Sequence, residues 1–216
     1  MSTAVIGAGN IGKTVAGLLS QAGERVVIAA SSVPTDVAQQ LGGSVTATTV
    51  ADAIDQGEAI VFAVWLDAMR ELITTHGSRL GGKVVIDPSN PVAFDSAGNV
   101  TRTLPDGVSS GSVVAELLPP SSHYVKAFGT LSAKSLGSEA NRTPTRGVLF
   151  YATDDDVAQA AVERLIAAAG FDAVRAGGVE ATLRIEMLGD LHQFGGLDGQ
   201  LLDVKQARSA VMAASG

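Results

Sequence analysis

The stretch TAVIGAGNIGK, residues 3–13, is a short apolar run that ends in three glycines with the spacing G-x-G-x-x-G. Residues 14–22 follow with a helical pattern, and residues 25–30, RVVIAA, form a second apolar run that is typical of a strand. A strand, a glycine-rich turn, a helix and a second strand within about 30 residues form the context in which this spacing binds a dinucleotide. The sequence therefore predicts a dinucleotide-binding turn, and the alternative is a glycine-rich turn without a ligand.

Each glycine of this turn has its own expected role. Gly7 permits the tight turn, Gly9 lets the backbone approach a pyrophosphate, and Gly12 lets the helix pack closely on the strand. The helix that starts here directs unpaired N–H groups and the positive end of its dipole towards the phosphates. We therefore expect these glycines to belong to a cofactor-binding loop.

Composition and charge exclude several classes of protein. The 216 residues suit one domain of generous size, and 46% of them are apolar, which is ample for a buried core. The net charge of -7, without a cluster of Lys and Arg, argues against a nucleic-acid partner. The absence of cysteine excludes disulfides, thiolate catalysis and Cys-type zinc sites, and it fits a reducing cytoplasm. Because no targeting segment or bilayer-length apolar run is visible, we expect a soluble cytoplasmic protein without a membrane partner.

Strand and helix patterns alternate along most of the chain. The apolar runs predict strands at residues 3–6, 25–30, 44–48, 59–64, 83–87, 124–128, 147–151 and 171–175. The amphipathic segments predict helices at residues 14–22, 35–41, 50–55, 66–80, 112–118 and 154–169. Residues 93–111 are rich in Gly, Ser, Asn and Asp, and we expect them to form the longest irregular stretch.

This alternation predicts an α/β fold of Rossmann type, with a doubly wound, mostly parallel sheet. We expect residues 1–180 to form the nucleotide-binding domain and residues 181–216 a small, partly helical C-terminal extension. Ligands of such sheets bind outside the carboxyl ends of the strands. That rule brings together residues 7–12, 30–32, 63–66 and 87–91 around one crevice, with residues 127–130 as a fifth segment.

The end of the second strand bears on the choice between NAD and NADP. An NAD enzyme usually carries a carboxylate there, which binds the ribose 2′-hydroxyl. This chain has Ser31 and Ser32 instead, and its first carboxylate, Asp36, comes later in the next helix. The serine hydroxyls can donate hydrogen bonds to a 2′-phosphate, although no Arg is present for a bidentate contact. The sequence favours NADP, and the alternative is that both are ordinary turn serines.

Several segments together resemble a known family. GAGNIGK (residues 7–13), FAV (62–64), VIDPSNP (85–91), VKAFGT (125–130) and YATDD (151–155) occur in this order. They are similar to the NADP oxidoreductases that depend on coenzyme F420, the deazaflavin:NADP oxidoreductases. The resemblance extends over residues 2–180. It implies hydride transfer between the nicotinamide C4 and a deazaflavin or flavin ring, without a catalytic acid or base from the protein.

The resemblance also implies which residues bind the cofactor. Gly7, Asn10, Ile11 and Gly12 would hold the pyrophosphate, Ser31 and Ser32 would face the 2′-phosphate, and the ribose and nicotinamide would be lined by Ala63, Val64, Asn90 and Pro91. Ala127 and Phe128 would form the hydride-transfer pocket. Residues 184–196 differ from the apolar helix that the family carries there, and we expect them to shape the second-substrate pocket or a dimer contact.

Three further side chains have two interpretations each. Trp65, at the end of a strand, could stack on the nicotinamide or on the ring of a partner molecule, or it could be a packing residue. His192, close to Glu186 and Asp190, could bind a metal or act in acid–base chemistry, or it could form a surface or dimer contact. Lys126 is expected to pair with a nearby carboxylate. Ser89 and Asp87 have no histidine placed to complete a catalytic triad.

The sequence thus predicts an NADP(H)-dependent oxidoreductase that acts on a deazaflavin or flavin-type acceptor, with coenzyme F420 or a flavin as the second substrate. The alternatives are an NADPH reductase of another small acceptor, such as an imine, a quinone or a ferric chelate, and a non-catalytic NADP-sensing protein. We expect no metal. The apolar residues of the C-terminal segment, among them Leu188 and Phe194, favour a homodimer.

Overall fold

The computed structural model describes residues 1–213, which are built around one eight-stranded sheet. The strands of these residues are, in chain order, β1 (Ser2–Ile6), β2 (Arg25–Ala29), β3 (Val45–Ala47), β4 (Ala59–Phe62), β5 (Val84–Asp87), β6 (Val92–Phe94), β7 (Val100–Arg102), β8 (His123–Lys126), β9 (Val148–Ala152) and β10 (Asp172–Gly177). The large sheet has the order β10-β9-β8-β5-β4-β1-β2-β3, and β6 and β7 form a separate antiparallel hairpin.

All neighbouring strands of the large sheet are parallel except β8 and β9. The chain runs outward from β1 to β3 on one side and then from β4 towards β10 on the other. The order therefore reverses beside β1, which is the switch point where ligands of such sheets bind. This arrangement confirms the predicted Rossmann-type α/β fold.

Helices cover the sheet. In chain order they are α1 (Asn10–Gln21), α2 (Thr35–Leu41), α3 (Val50–Gln56), α4 (Leu66–His76), α5 (Ser110–Leu117), α6 (Ala133–Ser138), α7 (Asp156–Ala168), α8 (Thr182–Ile185) and α9 (Val204–Ala213). Successive residues of a strand point to opposite faces of the sheet. Accordingly, Val5 belongs to one apolar cluster, with α1 and α7, while Ala4 and Ile6 belong to another, with α3 and α4. Both faces of the central strands are buried, which explains their continuous apolar sequence.

The stretch predicted to be irregular, residues 93–111, is the main error of the sequence analysis. It contains part of the β6–β7 hairpin, and α5 begins within it, at Ser110. Asp95 closes the hairpin by accepting hydrogen bonds from the side-chain amide of Asn99 and from the backbone of Asn99 and Ala97, which lower the pKa of its carboxyl. Strands of three residues are too short to show an alternating pattern, and for this reason the prediction missed them.

Other differences concern the ends of elements and one short helix. The first helix begins at Asn10 rather than at residue 14, and α4 ends at His76, followed by a 3-10 turn over Gly77–Arg79. The prediction missed α6, whose N-terminus is capped by the hydroxyl of Ser132, an acceptor from Ser135 N. A six-residue helix offers too few turns for a period to be recognised.

The C-terminal segment packs on the β10 edge of the sheet. Ile185, Leu191 and Ala207 are buried in one apolar cluster with Phe150 and Val174 of the last two strands. The part of the predicted extension at residues 214–216 lies outside the described residues. Among residues 1–213, no helix combines the length and the apolar character that crossing a bilayer requires.

Candidate cofactor and substrate cleft

A cavity of about 900 Å³ lies at the carboxyl ends of the strands. Its wall comes from the loops that follow β1, β2, β4, β5 and β8, and also from the hairpin, α4 and the C-terminal segment. Nine of the predicted site residues contribute to this wall: Gly7, Gly9, Asn10, Ile11, Ser31, Ala63, Val64, Trp65 and Asn90. The volume is within the range of small-molecule and cofactor sites.

The N-terminus of α1 opens into this cavity. Gly9 is its N-cap, no described side chain caps it, and its first turn carries no acidic residue. The earliest intrahelical bond runs from Lys13 N to Gly9 O, at 2.9 Å, so that the preceding N–H groups have no intrahelical acceptor. Free donors at the positive end of a 12-residue helix form a site for an anionic group such as a pyrophosphate.

The three glycines of the turn occupy three different environments. Gly7 has φ +112°, and a Cβ there would collide with the carbonyl of Ala63. A Cβ on Gly12 would collide with the carbonyl of Gly7, so Gly12 packs the helix on the turn rather than lining the cavity. Gly9 has nothing within 4 Å of its Cβ position. That open position leaves the N–H groups of the helix N-terminus accessible to an anionic group.

The loop after β2 brings only one of its two serines to the cavity. Ser31 is part of the wall, whereas Ser32 is exposed and outside it. No carboxylate follows β2 in the wall, and its one acidic residue is Glu71 of α4. The described wall contains no Lys or Arg, so a bound phosphate would depend on N–H groups and hydroxyls.

Three predicted site residues lie in the core instead of the wall. Ala127 and Phe128 are buried in the apolar cluster that packs against α1 and α7, and Gly129 and Leu131 line the cavity in their place. Phe128 has φ +64°, a sharp bend by which the chain leaves β8 with this side chain turned into the core. Pro91 is likewise buried outside the wall, which is formed there by Pro88, Ser89 and Asn90.

Asn90 connects three segments of the cavity. Its Nδ2 donates to Gly129 O at 3.0 Å, and its Oδ1 accepts from Met187 N at 2.6 Å. The side chain thereby joins the loop after β5 to the loop after β8 and to the C-terminal segment. Asn90 therefore both lines the cavity and holds three segments of its wall together.

His192 is a buried, neutral part of the same framework. Its Nε2 lies 3.0 Å from Gly129 O, and its Nδ1 lies 2.9 Å from the N–H of Phe194. A carbonyl can only accept and a backbone N–H can only donate, so the proton must be on Nε2. Burial lowers the pKa of His192 to about 4, to which the positive charge of Lys126 also contributes.

The metal and acid–base interpretations of His192 fail on this geometry. Both ring nitrogens are occupied, and the neighbouring carboxylates face elsewhere: Asp190 pairs with Arg184 at 2.8 Å, and Glu186 pairs with Arg102 at 3.2 Å. No group of three or more potential metal ligands occurs within residues 1–213.

A buried ionic network lies directly behind the cavity wall. Lys126 Nζ is 3.1 Å from Asp87 Oδ2 and 3.8 Å from Glu186 Oε1, and all three side chains are almost fully buried. Glu186 Oε1 also accepts from the N–H and the hydroxyl of Ser110, at the start of α5. The predicted pairing of Lys126 with a carboxylate is therefore confirmed. The network joins β5, β8 and α5 to the C-terminal segment.

Aromatic side chains surround the open side of the cavity. Trp65 is 62% exposed and meets Phe94 of the hairpin edge to face, with 6.4 Å between ring centroids. Phe194 of the C-terminal segment is 53% exposed and also belongs to the wall. A tryptophan this exposed is not a core residue, and stacking on a bound ring stays a prediction.

Sequence reasoning did not name several wall residues individually, chiefly Ser89, Phe94, Gly129, Met187 and Phe194. Met187 and Phe194 nevertheless lie within residues 184–196, the segment expected to shape the second-substrate pocket or a dimer contact. Ser89 and Gly129 belong to predicted strand-end segments and could have been included on position alone. Phe94 and Phe194 come from segments without a recognisable period, and only the folded chain brings them to the cavity.

Comparison with known proteins agrees with this fold. Residues 2–91 match the family model described as NADP oxidoreductase, coenzyme F420-dependent. No protein of curated function matches the sequence. A structure of a hypothetical protein from Sinorhizobium meliloti is 31% identical, covers 94% of this chain and 95% of its own, and superposes with a TM-score of 0.81.

Two more distant structures share the fold. A candidate F420-dependent NADP reductase from Arthrobacter sp. FB24 is 24% identical, with a TM-score of 0.70 and coverage of 83% of this chain and 86% of that one. An imine reductase from Bacillus cereus is 18% identical, with a TM-score of 0.59, and the match covers 83% of this chain and 56% of the reductase.

Proposed function

Since the chain belongs to the family of coenzyme F420-dependent NADP oxidoreductases, we propose that it binds NADP(H) in the cavity and transfers a hydride between the nicotinamide and a deazaflavin or flavin-type acceptor. The family assignment makes the chain an NADP-dependent oxidoreductase. The identity of the acceptor, the direction of transfer and the roles of individual residues belong to the proposal.

The uncapped N-terminus of α1 is the observation that carries this proposal. It combines free N–H donors, an open Gly9 position and a first turn without carboxylates, in a cavity that continues both towards Ser31 and towards Asn90. A dinucleotide needs this layout, with the phosphates in the middle and a ribosyl ring on either side. Ser31 without a neighbouring carboxylate supports NADP over NAD, since no negative charge would repel a 2′-phosphate.

The residues of the cavity position and enclose the ligands. NADPH, when bound, supplies the hydride at its nicotinamide C4. The ionisable side chains of the described wall are Glu71 and the neutral His192, and both His192 nitrogens are engaged. This composition supports a reaction without a protein acid or base. The apolar wall would exclude water from the transfer.

The open side of the cavity suits a flat second substrate. Trp65, Phe94 and Phe194 are each about half exposed there, and aromatic rings stack favourably on planar molecules. Phe194 and the exposed Leu188 also lead us to propose a homodimer that covers part of this surface. A monomer mass by light scattering at micromolar concentration would contradict the dimer.

An acceptor panel tests the reaction. The purified protein is given NADPH together with a deazaflavin, a free flavin, a quinone, a cyclic imine or a ferric chelate, and oxidation is followed at the nicotinamide absorbance. We expect turnover with the deazaflavin or the flavin. Turnover with only an imine, a quinone or a ferric chelate would show that the acceptor is not a deazaflavin or a flavin. Tight NADPH binding without any turnover would indicate a sensor.

A further inference from the structure

The hydroxyl of Ser89 is a buried polar group without a partner. The residue is 4% exposed, contributes to the cavity wall, and its Oγ forms no hydrogen bond with any described residue. A buried hydroxyl without a partner is destabilising, and native proteins contain few of them. Such a group in the wall of a cavity indicates that a ligand supplies the missing bond.

The backbone of Ser89, in contrast, is held on both sides by the buried ion pair. Its N–H donates to Asp87 Oδ1 at 2.7 Å, and its carbonyl accepts from Lys126 Nζ at 2.7 Å. Lys126 and Asp87 also bond each other at 3.1 Å, and Tyr124 donates to Asp87 at 2.9 Å. A buried ion pair adds little net stability. Here it fixes the position of one residue, whose only free polar atom is the side-chain oxygen.

The other polar side chains of the wall at this end of the cavity already have partners, and the unpaired hydroxyl of Thr130 lies outside the wall. Asn90 uses both its amide nitrogen and its oxygen, and His192 uses both ring nitrogens. The hydroxyl of Ser132 accepts a hydrogen bond from Ser135 N and donates one to Ser135 Oγ. Among these side chains, the Ser89 hydroxyl is the one with free hydrogen-bonding capacity.

The position of Ser89 in the sheet identifies the part of the ligand that it meets. The phosphate site follows β1, the adenosine-side Ser31 follows β2, and Ser89 follows β5, two strands from β1 in the opposite direction. Neighbouring strands are about 4.8 Å apart, so Ser89 lies roughly 10 Å from the phosphate site along the sheet. The nicotinamide half of a dinucleotide extends in this direction, and its carboxamide offers both a donor and an acceptor to a hydroxyl.

We infer that Ser89 is a cofactor-binding residue whose hydroxyl bonds the nicotinamide carboxamide, and that Lys126 and Asp87 are positioning residues that hold Ser89 for this contact. The inference rests on the proposed binding of NADP(H). It assigns to the buried ion pair a role in orienting the nicotinamide ring, since a carboxamide fixed on one side limits rotation of the ring that carries C4.

Substitution of the hydroxyl tests the inference by binding and by melting temperature, without an acceptor. In Ser89→Ala we expect the Kd of NADPH, measured by calorimetry, to rise roughly 5- to 10-fold, which is the loss of one neutral hydrogen bond. The Kd of 2′-phospho-ADP-ribose, which lacks the nicotinamide, should stay unchanged. The melting temperature of the ligand-free variant should equal or exceed that of the wild type, because a group without a partner has been removed.

Thr3→Val is the matched control. Thr3 Oγ1 is also buried without a partner, but Thr3 lies near the amino end of β1, away from the cavity. Its substitution should leave both Kd values unchanged. An unchanged NADPH affinity in Ser89→Ala, or an equal loss for NADPH and 2′-phospho-ADP-ribose, would overturn the inference. If neither compound bound the wild type, the proposed function itself would fail, which is a distinguishable result.

Discussion

At the scale of single residues, His192 shows how the folded chain changes the chemistry of a side chain. The sequence placed it among carboxylates and left a metal ligand, an acid–base group and a surface contact open. In the structure it is buried, it donates to Gly129 O and accepts from Phe194 N, and it holds the C-terminal segment on the cavity. Nothing in the sequence indicates this bonding, because both partners are backbone atoms and Gly129 belongs to a distant loop.

The depressed pKa of His192 predicts a pH-dependent stability. In the unfolded chain the imidazole takes up a proton below about pH 6.5, while in the folded chain it does so only near pH 4. Protonation therefore favours the unfolded state as the pH falls from about 6.5 to about 4, and up to about 3 kcal/mol of unfolding free energy is lost over this range. Urea unfolding at several pH values measures the loss.

His192→Gln is the reference for this measurement. The variant has no titrating group at this position, so its unfolding free energy should fall less between pH 7 and pH 4.5 than that of the wild type. Equal pH slopes for the two proteins would show that His192 does not titrate as its burial requires.

At the scale of elements, the glycines of the turn between β1 and α1 are expected to have different roles, two in the stability of the fold and one in ligand binding. Gly7 and Gly12 are required by the packing of the turn, since a Cβ at either position would collide with a backbone carbonyl. Gly9 is different, because its φ of -77° suits any residue and its Cβ position is open. The structure gives Gly9 no packing reason to be glycine, and the proposed contact with the phosphates of NADP(H) would supply one.

Two alanine substitutions distinguish these roles. Gly9→Ala should change the free energy of unfolding by less than about 1 kcal/mol, while the Kd of NADPH rises at least roughly tenfold because the methyl group occupies phosphate space. Gly7→Ala should cost about 3 kcal/mol or more of stability, through strain at positive φ and the collision with Ala63. Chemical denaturation and calorimetry measure both. Unchanged NADPH binding in Gly9→Ala would show that the glycine turn does not contact the cofactor.

At the scale of the whole molecule, regular patterns could be predicted and irregular ones could not. The apolar strand runs, such as residues 59–64, and the glycine turn at residues 7–12 predicted the sheet and its switch point. The five predicted strand-end segments contain half of the cavity wall. The hairpin that carries Phe94 and the segment that carries Phe194 have no period, and their positions depend on long-range bonds such as those of Asn90 and Glu186. The error at Phe128 has the same origin, since its bend at positive φ ends the strand pattern.

The central claim, that the cavity binds NADP(H) through the α1 N-terminus and Ser31, is tested most directly by titration of the wild-type protein with NADPH and with NADH. We predict that NADPH binds at least roughly tenfold more tightly, because the extra phosphate gains hydrogen bonds at the end of β2 and meets no carboxylate there. Equal Kd values for the two nucleotides would contradict the assignment of the 2′-phosphate site, and binding of neither would contradict the account of the cavity.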